Sequence, residues 1–233
     1  MTKTLYLTLL LSLTTFAVGQ SNLFIHKPFV GLPYRPTGVV QIDSLNQLPP
    51  RITFILDGLF EAALTDFESN LFFIKGQIID LESWAAKDST FQVNYKFVVP
   101  KYELFFELRD TSIGIQSYCM RVSLDQYGQI IRFDWPRENF NHRSAFIQLE
   151  ALQKTALRYA RKRRLKTNEY MTSLRFDAAN QRLLWEFSFL QESTGDEHFQ
   201  TQFYKVIGID ALFNYVQYVN DMSSQTISCF DIN

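Results

Sequence analysis

From Asn70 to Trp135, apolar side chains return at nearly every second position, and the same period resumes from Met171 to Val219 after one helical interruption. A period of two sends successive side chains to opposite faces, which is what a strand with one buried face requires. The predicted strands are Leu71–Leu81, Phe91–Val99, Tyr102–Leu108, Ile115–Leu124 and Gln129–Asp134, then Met171–Phe176, Arg182–Phe189, Gln200–Ile209 and Asn214–Val219. Asp-rich or Gly-containing turns separate most of them, and Pro100 and Pro136 mark breaks. Connections this short cannot make parallel crossovers, so the sheet is expected to be antiparallel. The 22 Phe, 11 Tyr and 3 Trp agree with this, because aromatic rings fill a pleated, half-buried surface.

The interruption is a helix. Ser144 is its expected cap. Ala145, Leu149, Leu152, Ala156, Tyr159 and Ala160 recur at three- and four-residue spacing, with polar side chains on the other faces, and the end is expected near Leu165. The segment 51–67 reads two ways. Ile52, Phe54 and Leu56 alternate like a strand that turns at Asp57-Gly58, while Leu59, Phe60, Ala63, Leu64 and Phe67 repeat like a helix face. The fold class is α+β: a helix of about 20 residues packed on antiparallel sheet. The division is a signal at 1–19, a Pro-rich extended arm at 20–50, a β-rich half at 51–140 that reads as a degenerate copy of the next part, a helix-plus-sheet unit at 141–220, and a tail at 221–233. The arm holds five of the seven prolines, each of which fixes φ and removes a donor.

The first 19 or so residues have the pattern of a secretory signal. Lys3 precedes a mainly apolar run, Leu5 to Val18, and Ala17-Val18-Gly19 supplies small residues for cleavage before Gln20. The expected destination is a secreted or periplasmic space. No later segment approaches 18 apolar residues, so no further membrane anchor is expected. With 23 basic and 24 acidic side chains the chain is nearly neutral, and no global attraction for nucleic acid is expected. In an oxidising compartment Cys119 and Cys229 could pair, closing a loop of about 110 residues for about 4–5 kcal/mol in the chain-entropy account; otherwise they are two buried thiols.

Two stretches echo each other. Val122-Ser-Leu124-Asp125-Gln-Tyr-Gly128 and Ile207-Gly-Ile209-Asp210-Ala-Leu-Phe213-Asn214 both read as strand, Asp, then a short turn into another strand. Asp at the turn entry can accept from the backbone two residues on. Gly128 suits a positive φ, and Asn214 is its expected substitute. The helix followed by Leu174-Arg-Phe-Asp177, Leu184-Trp185-Glu-Phe187 and Tyr204-Lys-Val-Ile-Gly-Ile209-Asp210 resembles PepSY-type domains. The likeness covers about residues 144–220 and, more loosely, 52–135. It departs at the last turn, where Phe213-Asn214 stands in place of the usual Gly. The resemblance implies a small exported module with a helix on an antiparallel sheet, restraining a secreted peptidase or binding another envelope protein.

Motifs for chemistry are sparse. His26, His142 and His198 show no metal-ligand spacing, and no cofactor is expected. There is no G-x-S-x-G, no Gly-rich phosphate loop and no cysteine in a reactive context. Asp134, beside Trp135 with Glu138 nearby, is the most suggestive carboxylate, and a strand end is its plainer reading. The one strong charge run contains Arg158, Arg161, Lys162 and Arg164, with Arg163 and Lys166. It suits a helix C-terminus, whose dipole welcomes cations, and it also suits an anionic partner. The functional expectation is a noncatalytic module for an exported protein or peptide partner, because antiparallel sheets with an exposed edge can accept a strand. The alternatives are a carrier of an apolar ligand between helix and sheet, and a hydrolase assembled from distant residues such as Asp134 and His142.

Overall fold

The computed structural model describes residues 38–87, 100–195 and 199–227, and each strand predicted from Leu71 onward that falls within them has a counterpart there. The expected signal, the strand Phe91–Val99, His26, His198 and Cys229 lie outside the described residues. Two sheets form. One runs β1 (Val39–Ile42), β2 (Leu71–Ile79), β3 (Tyr102–Asp110), β4 (Ile115–Leu124), β5 (Ile130–Phe133) in that spatial order; the other runs β6 (Tyr170–Asp177), β7 (Arg182–Gly195), β8 (Phe199–Asp210), β9 (Val216–Ile227). Consecutive neighbours pair antiparallel, as the short connections require. The helices are α1 (Pro50–Ala63), α2 (Leu81–Lys87) and α3 (Leu149–Lys162), so the class is α+β.

Several boundaries differ from the sequence reading. Residues 39–50 are not an unpaired arm: β1 pairs with β2 in the register Val39↔Ile79 to Ile42↔Gly76, and Pro50 opens α1. Proline suits a first helical position because its missing N–H would have no partner there. Ser144 does not cap α3. It sits in a 3₁₀ turn, Arg143–Ala145, and the helix begins at Leu149 after Gln148, which makes no side-chain capping bond. The helix therefore has 14 residues rather than about 20. Residues 221–227 are not tail but the end of β9.

The described residues divide into two compact units. The first takes those up to Glu61, Leu71–Leu108 and Cys119–Asp134; the second takes Ala62–Asn70, Arg109–Tyr118 and those from Trp135 onward. In the first, Ile52, Leu56, Leu59 and Phe60 form the buried stripe of α1. Phe54 is 78% exposed, so Ile52 and Leu56 are an i, i+4 pair on a helix and not two inward residues of a strand. The Phe60 ring meets Phe106 of β3 edge-on at 4.9 Å. Gly128, at φ +82°, lies under Ile55, and a Cβ there would stand 2.4 Å from Ile55 Cδ1.

In the second unit, α3 buries Leu152, Ala156 and Ala160 at i, i+4, i+8. Two alanines in that stripe let the helix backbone approach β7 and β8 closely, and Phe187 and Phe189 of β7 are both buried. A separate aromatic cluster surrounds Trp135, which is fully buried. Its ring lies 5.5 Å from Phe67, 6.0 Å from Tyr118 and 6.1 Å from Phe146.

Element order repeats along the chain. Among the described residues, helix, then four strands in spatial sequence, describes α1 with β2–β5 and again α3 with β6–β9; α2 intervenes between β2 and β3. The echoed turns share their bonding. Asp125 Oδ1 accepts from the N–H groups of Tyr127 and Gln129, both at 2.8 Å. Asp210 Oδ1 accepts from Leu212 at 2.8 Å and Phe213 at 3.1 Å. Gly128 has φ +82° and Asn214 φ +52°, the substitution expected from sequence.

Candidate functional site

β6 ends its sheet, so among the described residues no strand is hydrogen-bonded to one of its backbone edges. Which residues point that way follows from the ladder. Leu190 N–H donates to Glu169 O at 3.1 Å, and Ala211 N–H donates to Leu183 O at 3.0 Å. With the register Tyr170↔Phe189 through Asp177↔Arg182, alternation makes Met171, Ser173 and Arg175 the bonded partners of β7. Tyr170, Thr172, Leu174 and Phe176 turn their N–H and C=O groups away from the sheet.

A cleft of about 440 Å³ follows this edge. Thr172, Ser173 and Leu174 form one wall, residues 114–117 and the α3 side chains Leu149 and Gln153 form the other, and Trp185 and Phe187 of β7 also line it. A cleft that touches three consecutive residues of a strand is touching its backbone edge, because side chains on one face occur only at alternate positions. Gln153 Nε2 donates to the Tyr170 hydroxyl, which ties α3 to the first residue of β6. Trp185 is 4% exposed, and its indole Nε1 has no hydrogen-bond partner. A buried donor left unpaired is uncommon. Gly114, at φ +88°, lets Leu149 approach: a Cβ there would stand 2.7 Å from Leu149 Cβ.

The opposite edge residues of the sheet are tied across its outer face. Arg175 Nη1 on β6 donates to Glu186 Oε1 on β7 at 3.0 Å, and the Tyr218 hydroxyl on β9 donates to the same oxygen. Between them Gly208 of β8 has no side chain; a Cβ there would stand 2.5 Å from Tyr218 Cε1. Burial, then the bond to Glu186, pushes the Tyr218 hydroxyl far above its ordinary pKa.

A third set of polar groups fastens the second unit. Asp66 accepts from the Arg143 N–H at 3.0 Å and lies 3.4 Å from His142 Nδ1. Asp110 accepts from the Ser112 N–H at 3.1 Å and from Arg143 Nε. Burial works to raise the Asp110 pKa, but the bonds from Ser112 and Arg143 outweigh it and hold the carboxyl below its ordinary 3.8. A carboxyl with a depressed folded pKa stabilises above its unfolded pKa and loses that contribution as pH falls through the folded value. The stability difference between the native chain and Asp110→Asn should therefore be constant near neutrality and shrink below about pH 4. Urea unfolding midpoints from pH 7 to pH 2 measure it, and a difference that stays constant to pH 2 would contradict the assignment.

The residues singled out from sequence are dispersed. Arg158, Arg161, Lys162 and Arg164 are exposed at the end of α3, and among the described residues no carboxylate lies within ion-pair reach of them. Arg164 sits at φ +58° just beyond the helix. Cys119 is exposed on β4 and so is not a buried thiol, while Cys229, its expected bridging partner, lies outside the described residues. Cys119 borders a shallow cleft with Gln41, Lys75 and Phe105, and Lys75 Nζ stands 5.8 Å from the centre of the Phe105 ring. Asp134 is held by Arg132 through bonds of 2.7 and 3.0 Å. Among the described residues no three His, Cys, Asp or Glu side chains are grouped to hold a metal, and no helix is long and apolar enough to cross a membrane. The edge residues Thr172 and Ser173 were not singled out from sequence, and Leu174 entered only as the start of a strand motif. The only signal was the polar composition of Tyr-Met-Thr-Ser beside the apolar Leu-Leu-Trp-Glu-Phe of β7. Comparison with protein-family models, with curated proteins and with solved structures returns no match.

Proposed function

We propose that this chain is an exported, noncatalytic binding module that takes an extended segment of a protein partner as an added strand on β6. The observation that carries this is the cleft along the outward backbone groups of Thr172 and Leu174. Strand addition uses main-chain hydrogen bonds for affinity and alternate side-chain pockets for selection. Each such bond contributes about 0.5–1.5 kcal/mol net. The cleft beside β6 supplies apolar contact from Leu149, Trp185 and Phe187, and amide groups from Gln116 and Gln153. Export follows from the N-terminal apolar run, and on the PepSY-type resemblance the client is an exported peptidase.

Proline scanning tests the edge. Thr172→Pro removes an outward N–H that no ladder bond uses, so it should leave the fold within about 1 kcal/mol, as proline on an edge strand does. Ser173→Pro removes an inward N–H bonded to Glu186, and should destabilise by about 3 kcal/mol or more. The probe is a synthetic octapeptide of alternating Val and Thr. It should slow amide exchange at Thr172 and Leu174 in the native chain and bind at least tenfold more weakly to Thr172→Pro. Equal binding by native and Thr172→Pro protein would reject the edge as the site.

A further inference from the structure

Resting on that reading, we infer that the segment β6 accepts is acidic at its C-terminal end and lies antiparallel to β6, its carboxylates meeting the cations that close α3. Between Glu150 and Asp177 the only carboxylate is Glu169, whereas residues 154–166 carry seven Lys or Arg side chains. In a chain this near neutrality, such a cluster is a segregated positive region. Two of the seven have internal roles: Arg163 stacks on Tyr159 at 5.4 Å, and Lys166 Nζ donates to Gln191 O. Arg158, Arg161, Lys162 and Arg164 are exposed without an acidic partner among the described residues. Arginine forks favour carboxylates, which they grip by paired hydrogen bonds.

The ladder fixes where this cluster lies relative to the edge. Lys166 also donates its N–H to Gln191 Oε1 at 3.1 Å. Gln191 directly follows Leu190, which bonds Glu169, and Phe189, which faces Tyr170. The cations therefore stand at the Tyr170 end of β6. A guest antiparallel to β6 starts opposite Phe176 and leaves past Tyr170, so its C-terminal residues and its α-carboxylate arrive at the cluster. Antiparallel pairing also continues the pattern of the whole sheet.

The test compares three peptides on the full chain: the Val/Thr octapeptide followed by three Glu, preceded by three Glu, or followed by three Ser. Affinity is read by calorimetric titration in 50 and 500 mM NaCl, with the native protein, with Thr172→Pro, and with an Arg161→Glu/Lys162→Glu variant whose folding is checked by circular dichroism. The C-terminal Glu peptide should bind roughly tenfold or more tightly than the Ser peptide. That advantage should disappear at 500 mM NaCl, where screening shortens to a few ångströms, and in the charge-reversed variant. Equal affinities for the Glu- and Ser-tailed peptides, or a preference for N-terminal Glu, would overturn the inference while leaving strand addition standing. No binding by any peptide would overturn strand addition itself. Tight Glu-peptide binding that Thr172→Pro does not weaken would overturn both. Charge-dependent binding to phosphatidylglycerol vesicles, with no peptide preference, would assign the cations to a lipid surface and overturn the inference.

Discussion

Truncating Trp135 to alanine is expected to destabilise the protein by about 3–5 kcal/mol, the cost of removing a large aromatic from a closed core. Trp135 is fully buried, and Phe67, Tyr118 and Phe146 surround its ring at 5.5–6.1 Å. These neighbours come from three separated stretches of the second unit, so the ring joins segments that nothing local in sequence holds together. Edge-to-face pairs such as Phe67–Trp135 add about 0.5–1.5 kcal/mol beyond the area they bury. Trp135→Phe should cost far less, about 1–2 kcal/mol, because the indole Nε1 that it removes is buried without a partner. Urea unfolding followed by near-ultraviolet circular dichroism measures both. Equal costs for the two substitutions would show that ring size is not what matters there.

The second large effect is expected at Asp210, whose carboxylate is fully buried. One oxygen accepts from the Leu212 and Phe213 N–H groups, and the other from Arg182 Nη1 at 2.9 Å. Arg182 also reaches the Tyr215 hydroxyl and lies over the Phe213 ring at 5.6 Å. Asp210→Ala leaves two turn donors unpaired and strips the guanidinium of its anion, for about 2–4 kcal/mol. The equivalent Asp125→Ala loses only backbone bonds and should cost about 1–2 kcal/mol. Comparing the two variants by thermal unfolding checks the ranking. A larger loss at Asp125 would mean that the ion pair of Asp210 with the partly exposed Arg182 contributes little.

Local pattern carried much of this fold. Alternation located the strands because each packs one face over a core, and Gly128 and Asn214 were recognisable as turn residues because few side chains tolerate positive φ. Where two periods coincide, pattern could not decide. Ile52 and Leu56, four residues apart, share a face in a strand (i, i+2, i+4) and in a helix (i, i+4), and only the exposure of Phe54 separates these solutions. Ser144 looked like a cap because it precedes apolar residues at helical spacing, yet Phe146 is drawn into the Trp135 cluster and the helix starts five residues later than the cap. β7 and β8 run past their apolar cores because Glu192–Gly195 and Gln200–Phe203 still pair backbone to backbone, which no side-chain pattern reports. The candidate edge was illegible for a related reason. That β6 ends its sheet depends on the order of strands in space, and nothing in Thr172 or Leu174 records which neighbour is missing.

Gly208 has a consequence for how tightly β6 could hold a guest. By leaving its place empty, it lets one phenol ring lie flat across a neighbouring strand and brace Glu186 and Arg175 from below. Side chains from β6, β7 and β9 are thereby joined across one face of the sheet. If such ties hold the edge strand in place, a segment added to it would lose its own disorder without having to order its host, and more of each new bond would survive as affinity.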